Sequence, residues 1–109
     1  MAIKLLFDFT KSHSTETSEI YHLMDQMDIF DQNFLDNGII HSIQSSSDIT
    51  GENIHEQTYY IFDSLANFQN FLESKNSSEI ENLWKSVYDA RFKKGFLMKF
   101  SIDYNYVIE

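Results

Sequence analysis

Strand-like and helix-like patterns follow one another along this chain in the order β-α-β-β-α-β, which predicts an α+β sandwich with one sheet and its helices packed on one face. Three observations carry the expectation. Residues Asn37 to Val87 read as strand, long hairpin, strand and a two-part helix. A strand and an amphipathic helix precede them, and a long strand follows. Both crossovers are expected to be right-handed, which brings both helices to the same side of the sheet. The arrangement is ferredoxin-like, in a single domain over residues 1–109.

Ile3 to Thr10 alternates as a strand, with Leu5, Phe7 and Phe9 on one face and Lys4, Leu6 and Asp8 on the other. Lys11 to Thr15 reads as a polar loop. Glu16 to Asp36 reads as a helix with Thr15 as its cap, and Ile20, Leu23, Met24, Met27, Phe30 and Phe34 or Leu35 form one apolar stripe. Asn37-Gly38 ends it, since glycine takes the left-handed conformation common at helix C-termini. Ile39 to Ser45 is the second predicted strand, with Ile39, His41 and Ile43 sharing a face. The polar run from Ser45 to Asn53 reads as a hairpin loop, and Ile54 to Phe62, rich in β-formers, as the third strand. Asp63 or Ser64 caps a helix that breaks at Ser74 to Ser77. It restarts at the Ser78–Glu81 capping box and closes near Lys93, Lys94 and Gly95. Phe96 to Val107 is the last strand, with the alternate residues from Phe96 through Tyr104 and Tyr106 on one face.

Composition narrows function by exclusion. Seventeen acidic residues against eight basic ones give a net charge of −9, which disfavours phosphate tracking and binding to anionic membranes. With no Cys, thiolate catalysis and disulfides are ruled out. No run approaches the roughly 18 apolar residues of a membrane span, and MAIKLLFDFT lacks a small-residue cleavage site, so a cytoplasmic protein is expected. Ten Phe and six Tyr exceed the needs of a small core, so some are expected to line a cavity or an interface. The helix-free face, read as Leu6, Asp8, Ile40, Ser42, Gln44, Lys99 and Ser101, is too apolar for water and too polar for a sealed core. Packing against a second copy answers both.

The segment YYIFDSLANFQNFLESKNSSEIENLW resembles the dimeric α/β-barrel proteins of the antibiotic biosynthesis monooxygenase type. Phe62, Asp63-Ser64, Phe68, Phe71, Leu72-Glu73-Ser74 and Trp84 occupy the pattern: a strand ending in an aromatic, an acidic/Ser turn, an aromatic-rich helix and a second helical piece. The resemblance implies a homodimer with a cavity in each subunit between sheet and helices. It also implies, for some members, cofactor-independent oxygenation of aromatic substrates. The heme-degrading branch uses an Asn on the first strand, a Trp ending the third and a His on the second helix. Here the first strand has Asp8-Phe9, Phe62 stands at the Trp place, and residues 65–94 hold no His, so no heme or other cofactor is expected.

His41 is the candidate general base, because histidine titrates near neutral pH; the plain alternative is a strand histidine held by a polar neighbour. Phe9, Tyr60, Phe62, Trp84 and Arg91 are the candidate substrate-binding residues. The plain alternative for the first four is core packing, and for Arg91 a solvated helix end. Trp84 carries an indole N–H able to donate to a ligand oxygen. The histidines at 13, 22, 41 and 55 match no metal motif, and no metal is expected. The partners expected are a small aromatic or hydrophobic molecule and a second copy of the chain, with neither nucleic acid nor membrane. The reading is of a ligand-binding homodimer, either a cofactor-independent monooxygenase or a non-catalytic binding or regulatory protein.

Overall fold

The computed structural model describes residues 1–12, 18–92 and 97–108, leaving aside the side chains of 77, 88, 90–92, 97 and 98. The elements are β1 (Ala2–Ser12), α1 (Ser18–Asp36), β2 (Ser42–Thr50), β3 (Asn53–Phe62), α2 (Leu65–Glu73), α3 (Lys75–Phe92) and β4 (Leu97–Tyr106). The strands form one antiparallel sheet in the order β2-β3-β1-β4. This is the ferredoxin-like α+β arrangement that the element order predicts.

Period-two alternation in β1 sorts the layers. Ile3, Phe7 and Phe9 are buried under the helices, while Lys4, Leu6 and Asp8 on the opposite face are half-buried. Ile20, Met27 and Phe34 bring the stripe of α1 onto this surface. Phe68 and Phe71 of α2, with Ile80, Trp84 and Val87 of α3, complete the core. The helices cover β1 and β3 better than β4, so Phe100, Ile102 and Tyr104 stay 56%, 42% and 53% exposed.

Several boundaries differ from the sequence expectation, each for a local reason. β1 runs on through Lys11 and Ser12, expected as loop. Lys11 is buried beside Phe9, and its Nζ pairs with Glu56 at 3.1 Å. After α1, Gly38 at φ +77° turns the chain, and the Ile40 N–H bonds to the Phe34 carbonyl at 3.1 Å. That turn consumes Ile39 and Ile40, so β2 begins at Ser42 rather than Ile39. Ile40, expected on the helix-free face, is in the core at 1% exposure. The polar run expected as a hairpin loop is strand. Thr50 pairs with Asn53 across a two-residue turn, Gly51-Glu52, with Gly51 at φ +60° and no positive φ at Glu52, the pattern of a type II′ hairpin.

Ser64 caps α2, its Oγ accepting from the Asn67 N–H at 3.1 Å. The expected restart at Ser78–Glu81 is not used. Ser74 alone ends α2, its N–H bonding to the Phe71 carbonyl, and starts α3, its Oγ accepting from the Asn76 N–H at 3.2 Å. A bulge in the β1–β4 register between Ala2 and Lys4 splits the last two tyrosines. Tyr104 meets Phe68 on the helix side at 6.3 Å, and Tyr106 lies near Lys4 on the helix-free side. The expected features at His13, Thr15 and Glu16, and at Lys93, Lys94, Gly95 and Phe96, fall outside the described residues.

Phe62 is fully buried between Phe68 and Phe71, with ring centroids 5.1 Å away in both cases. Phe62→Ala is expected to lower stability by roughly 3–5 kcal/mol in denaturant unfolding, as deletion of a core aromatic does.

Candidate functional site

The apolar stripe of α1 carries one carboxylate inward. Asp31 follows Met27 by four residues and precedes Phe34 by three, so it shares their face. Its two carboxylate oxygens accept from the Tyr60 hydroxyl at 3.2 and 3.0 Å. Burial pushes the Asp31 carboxyl up to about 6; the nearby Asp28 charge adds to the rise, and the Tyr60 bond restrains it. Tyr60 is held well above the ordinary phenol range, first by burial and then by the Asp31 charge. Asp28, one turn earlier, is raised by burial and by Asp25.

These groups border a cavity of about 90 Å³ between the sheet and the α1/α3 layer. Its walls are Met24, Met27, Asp28 and Asp31 from α1, Ile43 and Ser45 from β2, Thr58 and Tyr60 from β3, and Trp84 from α3. Trp84 stacks on Phe7, with centroids 5.2 Å apart and planes 9° apart, and meets Phe9 edge-on at 5.9 Å. Its Nε1 is buried with no hydrogen-bond partner. The indole N–H also eases the Tyr60 hydroxyl toward ionisation, as a donor to its oxygen does. A second hollow, of about 350 Å³, lies between α1 and α3 on the surface, lined by Gln26, Ile29, Phe30, Glu79 and Leu83. It gathers no comparable set of polar groups.

Of the residues expected at the site, Tyr60 and Trp84 meet at the cavity. Phe9 and Phe62 do not line it; both are fully buried core. His41, the expected general base on the cavity wall, is exposed. It precedes β2, its N–H bonding to the Ile61 carbonyl at 2.8 Å, because the turn after α1 has delayed the strand. Arg91 belongs to α3, with its side chain outside the described residues. Asp31 was missed. Its signal was present: a carboxylate on the apolar stripe, at the spacing of Met27 and Phe34.

The helix-free face carries a separate polar row. Tyr59 donates to Gln57 at 2.7 Å, Gln57 to Asp8 at 3.3 Å, and Asp8 bonds to His55. The His55 bond is the main reason the Asp8 carboxyl lies below its ordinary range. His55 is thus tied to the sheet. Among the described residues, no three His, Asp or Glu side chains come together as metal ligands.

No family model matches the chain, and no curated protein matches it. Solved structures do. A provisionally named antibiotic biosynthesis monooxygenase from Deinococcus radiodurans aligns over 100% of this chain and 97% of its own, at TM-score 0.60 and 12% identity. A variant of SnoaB, a cofactor-independent oxygenase from Streptomyces nogalater, aligns over 99% and 98%, at TM-score 0.59 and 8% identity. A dimeric ferredoxin-like protein of unknown function from Bacteroides fragilis aligns over 91% and 94%, at TM-score 0.52 and 11% identity. The chain therefore shares the fold of monooxygenase-type and dimeric ferredoxin-like proteins. Among the described residues no helix is long and apolar enough to cross a membrane.

Because folding raises the Asp31 pKa, the native state holds its proton up to a higher pH than the unfolded chain, whose Asp titrates near 3.9. Between about pH 4 and pH 6 the native state binds more protons, so stability falls as pH rises and the loss is complete above pH 6. Asp31→Asn keeps an acceptor for Tyr60 and removes this slope. The variant is expected to match the parent near pH 4 and to exceed it by roughly 2–3 kcal/mol at pH 8, read from urea unfolding at both pH values.

Proposed function

We propose that this chain, acting as one domain, is a homodimeric small-molecule-binding protein whose ligand enters the cavity between Asp31, Tyr60 and Trp84. The observation that carries the reading is the convergence, at one hollow, of a raised carboxyl, the hydroxyl bonded to it and the Trp84 side chain. Met24, Met27, Ile43 and the Trp84 ring offer the apolar side of the contact, suited to the aromatic or hydrophobic body of a small molecule. The volume of about 90 Å³ is below the roughly 150 Å³ of a cavity known to take one benzene. The cavity is therefore read as receiving the head of the ligand, with the body toward the opening. The dimer reading draws on the dimeric description of a structural neighbour and on the mixed character of the helix-free face around Leu6, Asp8, Tyr59 and His55. A cytoplasmic location accompanies this reading.

The Asp31 carboxyl favours a second, catalytic reading. A group poised near pH 6 is matched to proton abstraction at neutral pH. In a cofactor-independent oxygenation Asp31 takes a proton from the substrate, and the substrate anion, itself the reductant, adds O2 to form a hydroperoxide that regains the proton and loses water to leave a carbonyl. Turnover measured as O2 consumption with substrate, and its loss in Asp31→Asn, separates this from binding alone.

Trp84 is the only tryptophan, so ligand entry is expected to change its emission saturably. Small hydrophobic and aromatic compounds screened by intrinsic fluorescence should include ligands whose signal disappears in Trp84→Phe and whose affinity falls in Tyr60→Phe. Sedimentation at micromolar concentration is expected to give twice the 12.9 kDa chain mass, and a monomer alone would remove the dimer from the proposal.

A further inference from the structure

The cavity has a closed end and an open end, and the exposure of its walls tells them apart. Met27, Tyr60 and Trp84 are buried, Ile43 and Thr58 are half-buried, and Asp28 and Ser45 are exposed. The reason lies in how α1 covers the sheet. Its stripe of Ile20, Met27 and Phe34 joins the core over β1 and β3, while β2 is the edge strand beyond β3. The helix-side residues of β2 accordingly pass from half-buried Ile43 through exposed Ser45 and Ser47 to Ile49, 68% exposed. Asp28 is two residues from both Gln26 and Phe30, which puts it about 200° around the helix from each. It is therefore on the opposite flank of α1 from the hollow that Gln26 and Phe30 line against α3. Phe30 and Leu83, at that second hollow, pack onto the core, and no described residue lines both hollows. At the open end the Ser45 Oγ and the Thr58 Oγ1 lie 3.2 Å apart across the β2–β3 pair. The two hydroxyls thus bond each other along the sheet and leave the opening clear.

We propose that small molecules reach Trp84 through a mouth between α1 and the edge strand β2, with Asp28 and Ser45 as its lips, and that the side chain at position 45 sets the size that passes. This rests on the small-molecule reading above and adds the route and the residue that selects by size. β2 pairs on one edge only, with β3, so the lip that Ser45 forms is the one the sheet holds least firmly. A side chain longer than serine at this position projects from the helix side of the strand, where Ile43 and Ser45 line the cavity. It narrows the mouth without entering the core, because Ser45 is exposed.

The test uses the full chain, which has no cysteine, so one introduced thiol is labelled uniquely. Trp84 is the only tryptophan, and quenching of its emission by acrylamide, a small neutral molecule, reads access to the closed end of the cavity. Ser45→Cys and Asp28→Cys place a thiol on each lip. Ser47→Cys, on the same face of β2 but off the cavity, and Gln26→Cys, in the second hollow, are the controls. Each variant is modified with methyl or benzyl methanethiosulfonate, and circular dichroism checks that it is folded. A benzyl group at either lip is expected to lower the Stern–Volmer constant several-fold, a methyl group less, and neither to change the controls. Ser45→Ile, a β-branched residue suited to a strand, needs no label and is expected to act in the same direction. It decides the matter should a labelled lip variant unfold. Unchanged quenching in Ser45→Ile and in the benzylated Ser45→Cys chain overturns the proposal. So does a loss of quenching on labelling Gln26→Cys, which assigns the route to the second hollow. In both cases the small-molecule reading stands. If acrylamide quenches Trp84 only in the urea-unfolded chain, there is no route to the cavity and both fall.

Discussion

The hydrogen bond from Tyr60 to Asp31 is the contact on which the account of this protein turns. α1 must lay its apolar stripe on the sheet to bury Ile20, Met27 and Phe34, and that same face carries Asp31 inward. A carboxylate on such a face costs stability unless it is bonded, neutralised or both. Tyr60, 2% exposed on central strand β3, supplies the bond and fixes the distance between helix and sheet at that point. Phe7 then packs edge-on against Tyr60 at 5.2 Å and face-on against Trp84, so the polar pair is clamped by the aromatic core.

Much of the fold was legible because its core elements obey their periodicities. β1 alternates, α1 carries a stripe at three- and four-residue spacing, and β3 is dense in β-formers, so the element order and the ferredoxin-like arrangement followed. What escaped was structure held by pairing rather than by burial. β2 is an edge strand whose Ser45, Ser46 and Ser47 are all exposed, so no hydrophobic alternation marks it. Its regularity comes from backbone bonds to β3 and from the Gly51 turn. Ser74 serving two helix ends was likewise hidden by a better-looking capping box four residues later.

The candidate site was half legible for a related reason. Tyr60 and Trp84 stand out as large amphipathic side chains on well-phased elements. Phe9 and Phe62 share that phasing but carry nothing polar, and the structure uses them as core. His41 drew attention for its chemistry, yet its place depended on where β2 starts, which the turn after α1 decides. Asp31 drew none, because a carboxylate within an acidic helix reads as solvated surface. Only its spacing from Met27 and Phe34 reveals the burial.

The arrangement exchanges stability for a poised group. An apolar residue at position 31 would stabilise the fold, and a buried carboxyl there is of the kind found at functional sites. The claim is tested most directly by the titration of Asp31 itself, followed through its side-chain carboxyl carbon by NMR and assigned with Asp31→Asn. A midpoint near 6, above the ordinary aspartate range, is expected. A midpoint in the ordinary range near 3.9 would mean that Asp31 is solvated and that the cavity holds no poised carboxyl.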